Sequence, residues 1–101
     1  MTPSPTRDSI INALEHHREH IRRLGVRRLG LFGSAARGEN TSRSDLDFLV
    51  EFEHKSFDSY MDVKDFLEQI FSRPADLVIT EALKPRLREA ILRETVHAQG
   101  L

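Results

Sequence analysis

LFGSAARGENTSRSDLDFLV, residues 31–50, decides how this chain is read. It continues the apolar run LGLF of residues 29–32, too short for a helix and fitted to a strand. Gly33-Ser34 follows at once, and a polar, Gly-containing segment leads to Ser44. The stretch closes on DLDFLV, residues 45–50. Side chains on a strand alternate between faces, so Asp45 and Asp47 share one face, while Leu46, Phe48, Val50 and Phe52 share the other. Like charges side by side on a sheet repel. The natural counter-charge for two such carboxylates is a divalent metal with oxygen ligands.

The Gly33-Ser34 end supplies the other half of a site. Without a Cβ, Gly33 lets backbone N–H groups come close to a phosphate. The hydroxyls of Ser34 and Ser44 can bond phosphate oxygens, and Arg37 or Arg43 can add a forked, charged donor. The local alternative for either arginine is a pair with Glu39 or another surface acid. Phosphate donors joined by a turn to paired carboxylates describe a site for a nucleoside triphosphate with Mg²⁺. A Gly-rich hairpin loop with a solvated acidic edge is the competing reading, and Gly-Ser alone would fit it. Gly-Ser, ten intervening residues and then Asp-apolar-Asp is far more restrictive.

Gly33-Ser34-x-x-Arg37-Gly38, followed by Ser44-Asp45-x-Asp47, resembles the signature of the DNA polymerase beta-like nucleotidyltransferases, and among them the minimal nucleotidyltransferases (MNT). The resemblance runs from residue 10 to residue 92, and its specific part is residues 33–47 with Asp76. It implies that Asp45, Asp47 and Asp76 are the catalytic carboxylates and hold two Mg²⁺ ions. It further implies that Gly33, Ser34, Arg37 and Ser44 bind the nucleotide, with ATP as donor. Asp76, which alone would read as a strand-start carboxylate, becomes the proton acceptor or orienter of the attacking hydroxyl. Little of the chain remains to hold an acceptor, which is therefore expected on a separate macromolecule. The resemblance names it as a HEPN-domain toxin whose tyrosine receives AMP, making this chain an antitoxin. Two other functions fit the residues: an antitoxin that neutralises by covering its toxin, and an enzyme for a small hydroxylated acceptor.

Length and composition agree with one domain spanning residues 1–101. Fifteen basic residues stand against sixteen acidic ones, for a net charge of −1. There is no basic field to attract nucleic acid, which argues against a DNA or RNA substrate. Without cysteine there is no disulfide framework and no thiolate metal site. The first residues lack the apolar core of a signal peptide, and no apolar run is long enough to span a membrane, so a cytoplasmic protein is expected.

Along the chain, Ser4 reads as an N-cap with Pro5 at the first helical position. Ile10, Leu14, Ile21 and Leu24 form the apolar stripe of a helix that Gly25 ends. His16 and His20 have metal-ligand spacing on it, but nothing in sequence completes a site, and a surface role is the better reading. Strands are expected at 26–32, 46–52 and 76–80, with one helical turn at 34–37. A helix starting at Ser56 or Asp58 runs to about residue 71 and turns Tyr60, Val63, Phe66, Leu67, Ile70 and Phe71 to the core. Arg73-Pro74 stops it. Pro85 starts a last helix with Leu87, Ala90, Ile91 and Glu94 on successive turns, and residues 97–101 fray. The fold class is α/β (α+β), with a small mixed sheet of three or slightly more strands and helices mainly on one face, the polymerase beta-like nucleotidyltransferase fold. Strands one and two are expected to form a hairpin, and the resemblance implies that the third lies beside the second. The loops at 35–43, 53–56 and 80–85 are expected to rim the carboxylate cleft and to dock the acceptor.

Overall fold

A computed structural model describes residues 5–40 and 45–101 of the chain. The expected N-cap at Ser4 lies outside the described residues, and the helix starts later than Pro5. Helix α1 is Arg7–His16, and its N-cap is Thr6, whose hydroxyl accepts a hydrogen bond from the Ser9 amide at 3.1 Å. Such a cap stabilises a helix by about 1 kcal/mol. Instead of one helix to Gly25 there are two. At His17 the backbone leaves helical values (φ −99°, ψ 14°), and α2 resumes at Arg18–Arg23. The His17 ring meets Phe66 edge-on at 5.4 Å, and His20 stands 4.5 Å from the same ring. Gly25, at φ 97°, turns the chain into the first strand.

Strands β1 (Val26–Phe32) and β2 (Leu46–Phe52) pair antiparallel, as expected of the hairpin. Between them Gly33–Ala36 forms the single helical turn α3. Helix α4 is Phe57–Phe71, capped by the Ser56 hydroxyl and ended at Ser72 in the left-handed region (φ 53°). Strand β3, Ala75–Ile79, lies parallel to β2 with Asp47 opposite Asp76. The alternation on β2 holds: Leu46, Phe48, Val50 and Phe52 are all buried, and Ile10, Leu14, Ile21, Val63 and Leu67 from the helices join them in one core.

The C-terminal part departs from expectation. After a 3-10 turn at Thr80–Ala82, helix α5 (Pro85–Glu94) has Pro85 in its first turn, yet none of its residues is buried and Leu87 and Leu92 are exposed. The last residues do not fray. Val96–His97 is a fourth strand, β4, antiparallel to β1, so the sheet order is β3-β2-β1-β4. The Ala98 amide donates to the Leu29 carbonyl at 3.1 Å, and Ala98 and Leu101 are buried. Gly30 makes this possible: with no side chain it admits Thr95 and Val96 against β1. Among the described residues, no helix is long and apolar enough to cross a membrane.

Candidate active site

The turn after β1, the start of β2 and the start of β3 meet at one end of the sheet, because β1 runs opposite to β2 and β3 runs with it. This brings Gly33, Ser34, Asp45, Asp47 and Asp76 to that end. Gly33 sits at φ 76°, and a Cβ there would lie 2.2 Å from Asp47 Oδ2. Only glycine allows this backbone to press against the carboxylate. Ser34 is half-buried, and its carbonyl accepts from the Glu39 amide at 2.8 Å, which closes the start of the loop. Ser44 and Arg43, expected to take part in the site, lie outside the described residues.

Asp47 and Asp76 stand side by side across the β2–β3 ladder, and Asp45 lies two residues before Asp47, just ahead of β2. The Asp47 carboxyl is pushed above its ordinary value, first by burial, then by the charges of Asp76 and Asp45, with Arg37 opposing. Among the described residues no cation forms an ion pair with any of the three aspartates. Neither does any group of three His, Cys, Asp or Glu side chains form a ready-made metal cage there. Mg²⁺ does not require one: it is commonly held by one or two carboxylates, with water and substrate phosphates completing six oxygens. Adjacent carboxylates, with that of Asp47 raised in proton affinity by burial and by its acidic neighbours, fit such an ion.

Arg37 takes the local alternative. Its Nε donates to Glu39 at 3.1 Å and its Nη1 to Glu94 at 2.7 Å. Glu94, at the end of α5, was invisible as a site neighbour in the sequence; its charge adds to those acting on Asp47. Three further residues were also missed as neighbours of the site. Tyr60, Lys64 and Glu68, four apart on α4, bond to the backbone on either side of Asp76. His16 and His20 are on α1 and α2, where ring contacts occupy them, and they take no part here.

The loops expected to rim the cleft do not all do so. Residues 53–56 follow the far end of β2, and 80–85 follow the far end of β3, so both lie a strand's length from the carboxylates. Of that rim, the described part of 35–43 is at the site, and the end of α5 joins it through Glu94.

The family model of the nucleotidyltransferase domain matches residues 14–97. The chain belongs to the nucleotidyltransferase domain family. A protein adenylyltransferase, MntA of Thermococcus cleftensis, is 37% identical over 94 residues, covering 91% of this chain and 95% of the relative. A solved minimal nucleotidyltransferase superposes with a TM-score of 0.72 at 38% identity, over 85% of this chain and 93% of the other. The structure of a toxin–antitoxin with AMP-PNP gives 0.68 at 19% identity, over 86% and 73%, and shares the fold. This nucleotidyltransferase is thus an enzyme of the minimal class, as its Gly-Ser and Asp-x-Asp residues implied.

Proposed function

We propose that this nucleotidyltransferase transfers AMP from ATP to a tyrosine hydroxyl of a HEPN-domain toxin and thereby serves as the antitoxin of a pair. The observation that carries the reading is the registered pair Asp47 and Asp76, joined by Asp45, with the Gly33 backbone pressed against it. The adenylyltransferase name of the 37% identical relative supports the transferred group, and the toxin–antitoxin neighbour with AMP-PNP supports donor and setting. The HEPN partner and the tyrosine rest on the family resemblance.

In this reading Asp45, Asp47 and Asp76 hold two Mg²⁺ ions, which supply neutralisation of the triphosphate and lower the proton affinity of the acceptor hydroxyl. Gly33 and Ser34 receive the phosphates, with Ser44 beside them. Arg37 joins by exchanging Glu94 or Glu39 for a phosphate oxygen. The tyrosine oxygen attacks the α-phosphorus in line with the leaving group. The bond to the β-phosphate oxygen breaks, pyrophosphate leaves with the electron pair, and the hydroxyl proton passes to Asp76. Positioning and charge neutralisation do most of the work.

The test is transfer of label from α-labelled ATP to purified toxin, with Asp47→Asn as the decisive variant. Loss of labelling of about a hundredfold or more is expected. Labelling at the wild-type rate sinks the site assignment, and toxin neutralised by the unlabelling variant at equal stoichiometry turns the reading to simple covering. The variant also carries its own folding control. Asp47 holds its proton more tightly folded than unfolded, so it contributes most stability below its unfolded value of 3.8, and that contribution falls as pH rises through the raised folded value. In chelator at neutral pH, Asp47→Asn should therefore melt no lower than wild type, and on the order of a few degrees higher.

A further inference from the structure

β3 is an edge strand of the sheet, and among the described residues no strand pairs with its outer side. The N–H and C=O groups of successive strand residues point alternately to the two edges. Pro74 faces inward, its carbonyl accepting from the Leu46 amide at 3.1 Å. By alternation Asp76 also turns its backbone toward β2, whereas Ala75 and Leu77 turn theirs outward.

That outer edge is closed by one stripe of α4. Tyr60, Lys64 and Glu68 are spaced four apart, so they stand one above another on the helix surface. The Tyr60 hydroxyl donates to the Leu77 carbonyl at 2.6 Å. Lys64 Nζ donates to the Ala75 carbonyl at 2.9 Å and to Glu68 Oε2 at 2.8 Å. The same Glu68 oxygen accepts from the Ala75 amide at 2.8 Å. The Ala75 carbonyl belongs to the peptide that carries the Asp76 amide. A helix thus supplies, through three side chains, the hydrogen bonds that a neighbouring strand would have made, and it does so on both sides of Asp76.

We infer that Lys64 and Glu68 are positioning residues for Asp76: their clamp on the Ala75 peptide groups sets where the Asp76 carboxylate stands relative to Asp47. The inference rests on the catalytic reading of Asp76 proposed above. The physical reason is that an edge strand frays most readily at its first residue, and Asp76 is the second residue of β3. A carboxylate displaced by about 1 Å can lose a hundredfold in rate. Lys64 and Glu68 form an i,i+4 pair, which on a bare helix surface would contribute little. Here both partners also hold backbone, so the pair fixes geometry that an ordinary surface pair does not.

The experiment compares wild type, Glu68→Leu, Glu68→Gln, Lys64→Met and Asp76→Asn. It reads amide exchange at Ala75 and Asp76 in the free protein, and the kcat and nucleotide KM of AMP transfer to the toxin with Mg²⁺. Glu68→Leu should lose exchange protection at these two amides without global unfolding. Its kcat should fall by roughly tenfold to a hundredfold while the nucleotide KM stays put. Glu68→Gln keeps an oxygen for the Ala75 amide and should recover most of both; a residue needed only for stability would show no such split. If Glu68→Leu does not fold, Lys64→Met, which frees the Ala75 carbonyl, should lower kcat in the same way with the nucleotide KM unchanged. Wild-type kcat in the folded clamp variants beside an inactive Asp76→Asn overturns the clamp and leaves the catalytic reading standing. An Asp76→Asn protein as active as wild type overturns that reading, and the positioning role with it.

Discussion

At Gly33 a backbone conformation and a close approach coincide. Its φ of 76° disfavours any side chain, and a Cβ would stand 2.2 Å from Asp47 Oδ2 and 3.0 Å from Asp47 Cγ. One of the two must move, and the carboxylate is flanked by β1 on one side and β3 on the other. Gly33→Ala should therefore act on chemistry through Asp47. AMP transfer is expected to drop about a hundredfold, the effect of an ångström-scale misplacement of a reacting group. Circular dichroism should show the fold retained, and unimpaired transfer by the alanine variant would detach Gly33 from the site. Arg37 illustrates the opposite case, a residue with a recognisable motif position whose side chain is already engaged. Glu39 and Glu94 hold it at 3.1 and 2.7 Å, so binding of a phosphate there must break at least one charge-assisted bond.

Strand β4 shows how one glycine admits an element. A Cβ on Gly30 would meet Thr95 Cγ2 at 2.5 Å, and His97 Cδ2 and the Val96 carbonyl oxygen at 3.1 Å. The Thr95 hydroxyl is tied to the Ile91 carbonyl at 2.6 Å, so the methyl cannot simply rotate away. Gly30→Ala should push β4 off β1 and destabilise the fold by about 1–3 kcal/mol, read as a lower denaturant midpoint. Thr95→Ser removes the offending methyl and keeps the hydroxyl, so the double variant should regain part of the loss. No recovery would place the strain at the Val96 backbone instead.

For the molecule as a whole, strand direction decides which surface can face an acceptor. The ends of β2 and β3 that carry the aspartates are opposite those that lead into residues 53–56 and 80–85. Lys55 and Glu81, 3.1 Å apart, link those two loops to each other at the far end. Lys84 belongs to the same end, at the N-cap of α5, while α5 runs back to deliver Glu94 to the site. Charge reversal should therefore separate the ends. Lys84→Glu is expected to leave toxin modification within about twofold of wild type, the usual range for a remote surface change. Glu39→Lys, which removes a partner of Arg37, should lower modification and alter ATP affinity together. Measuring labelled transfer and nucleotide binding for both variants checks this, and strong loss in Lys84→Glu would require an acceptor large enough to embrace both ends.

The local readings came from short-range physics. Period-two alternation on residues 46–52 predicted that Leu46, Phe48, Val50 and Phe52 would be buried, because strand pleating sends every second side chain to the same face. Gly33-Ser34 ahead of Asp-x-Asp pointed to the nucleotidyltransferase family by its resemblance to that family's signature, and the family model matches residues 14–97. What sequence could not carry were partnerships between distant segments. The tail 97–101 looked free because two strand residues have no periodicity, and only Gly30 on β1 makes room for them. The loops 53–56 and 80–85 looked like rim until strand direction put them at the other end. Lys64 and Glu68 are four apart on α4, but the Ala75 peptide they hold is adjacent only after β3 takes the edge of the sheet. Periodicity and local sterics act over a few residues and are written in the chain; who neighbours whom across the sheet depends on strand order, which arises only when the whole core packs.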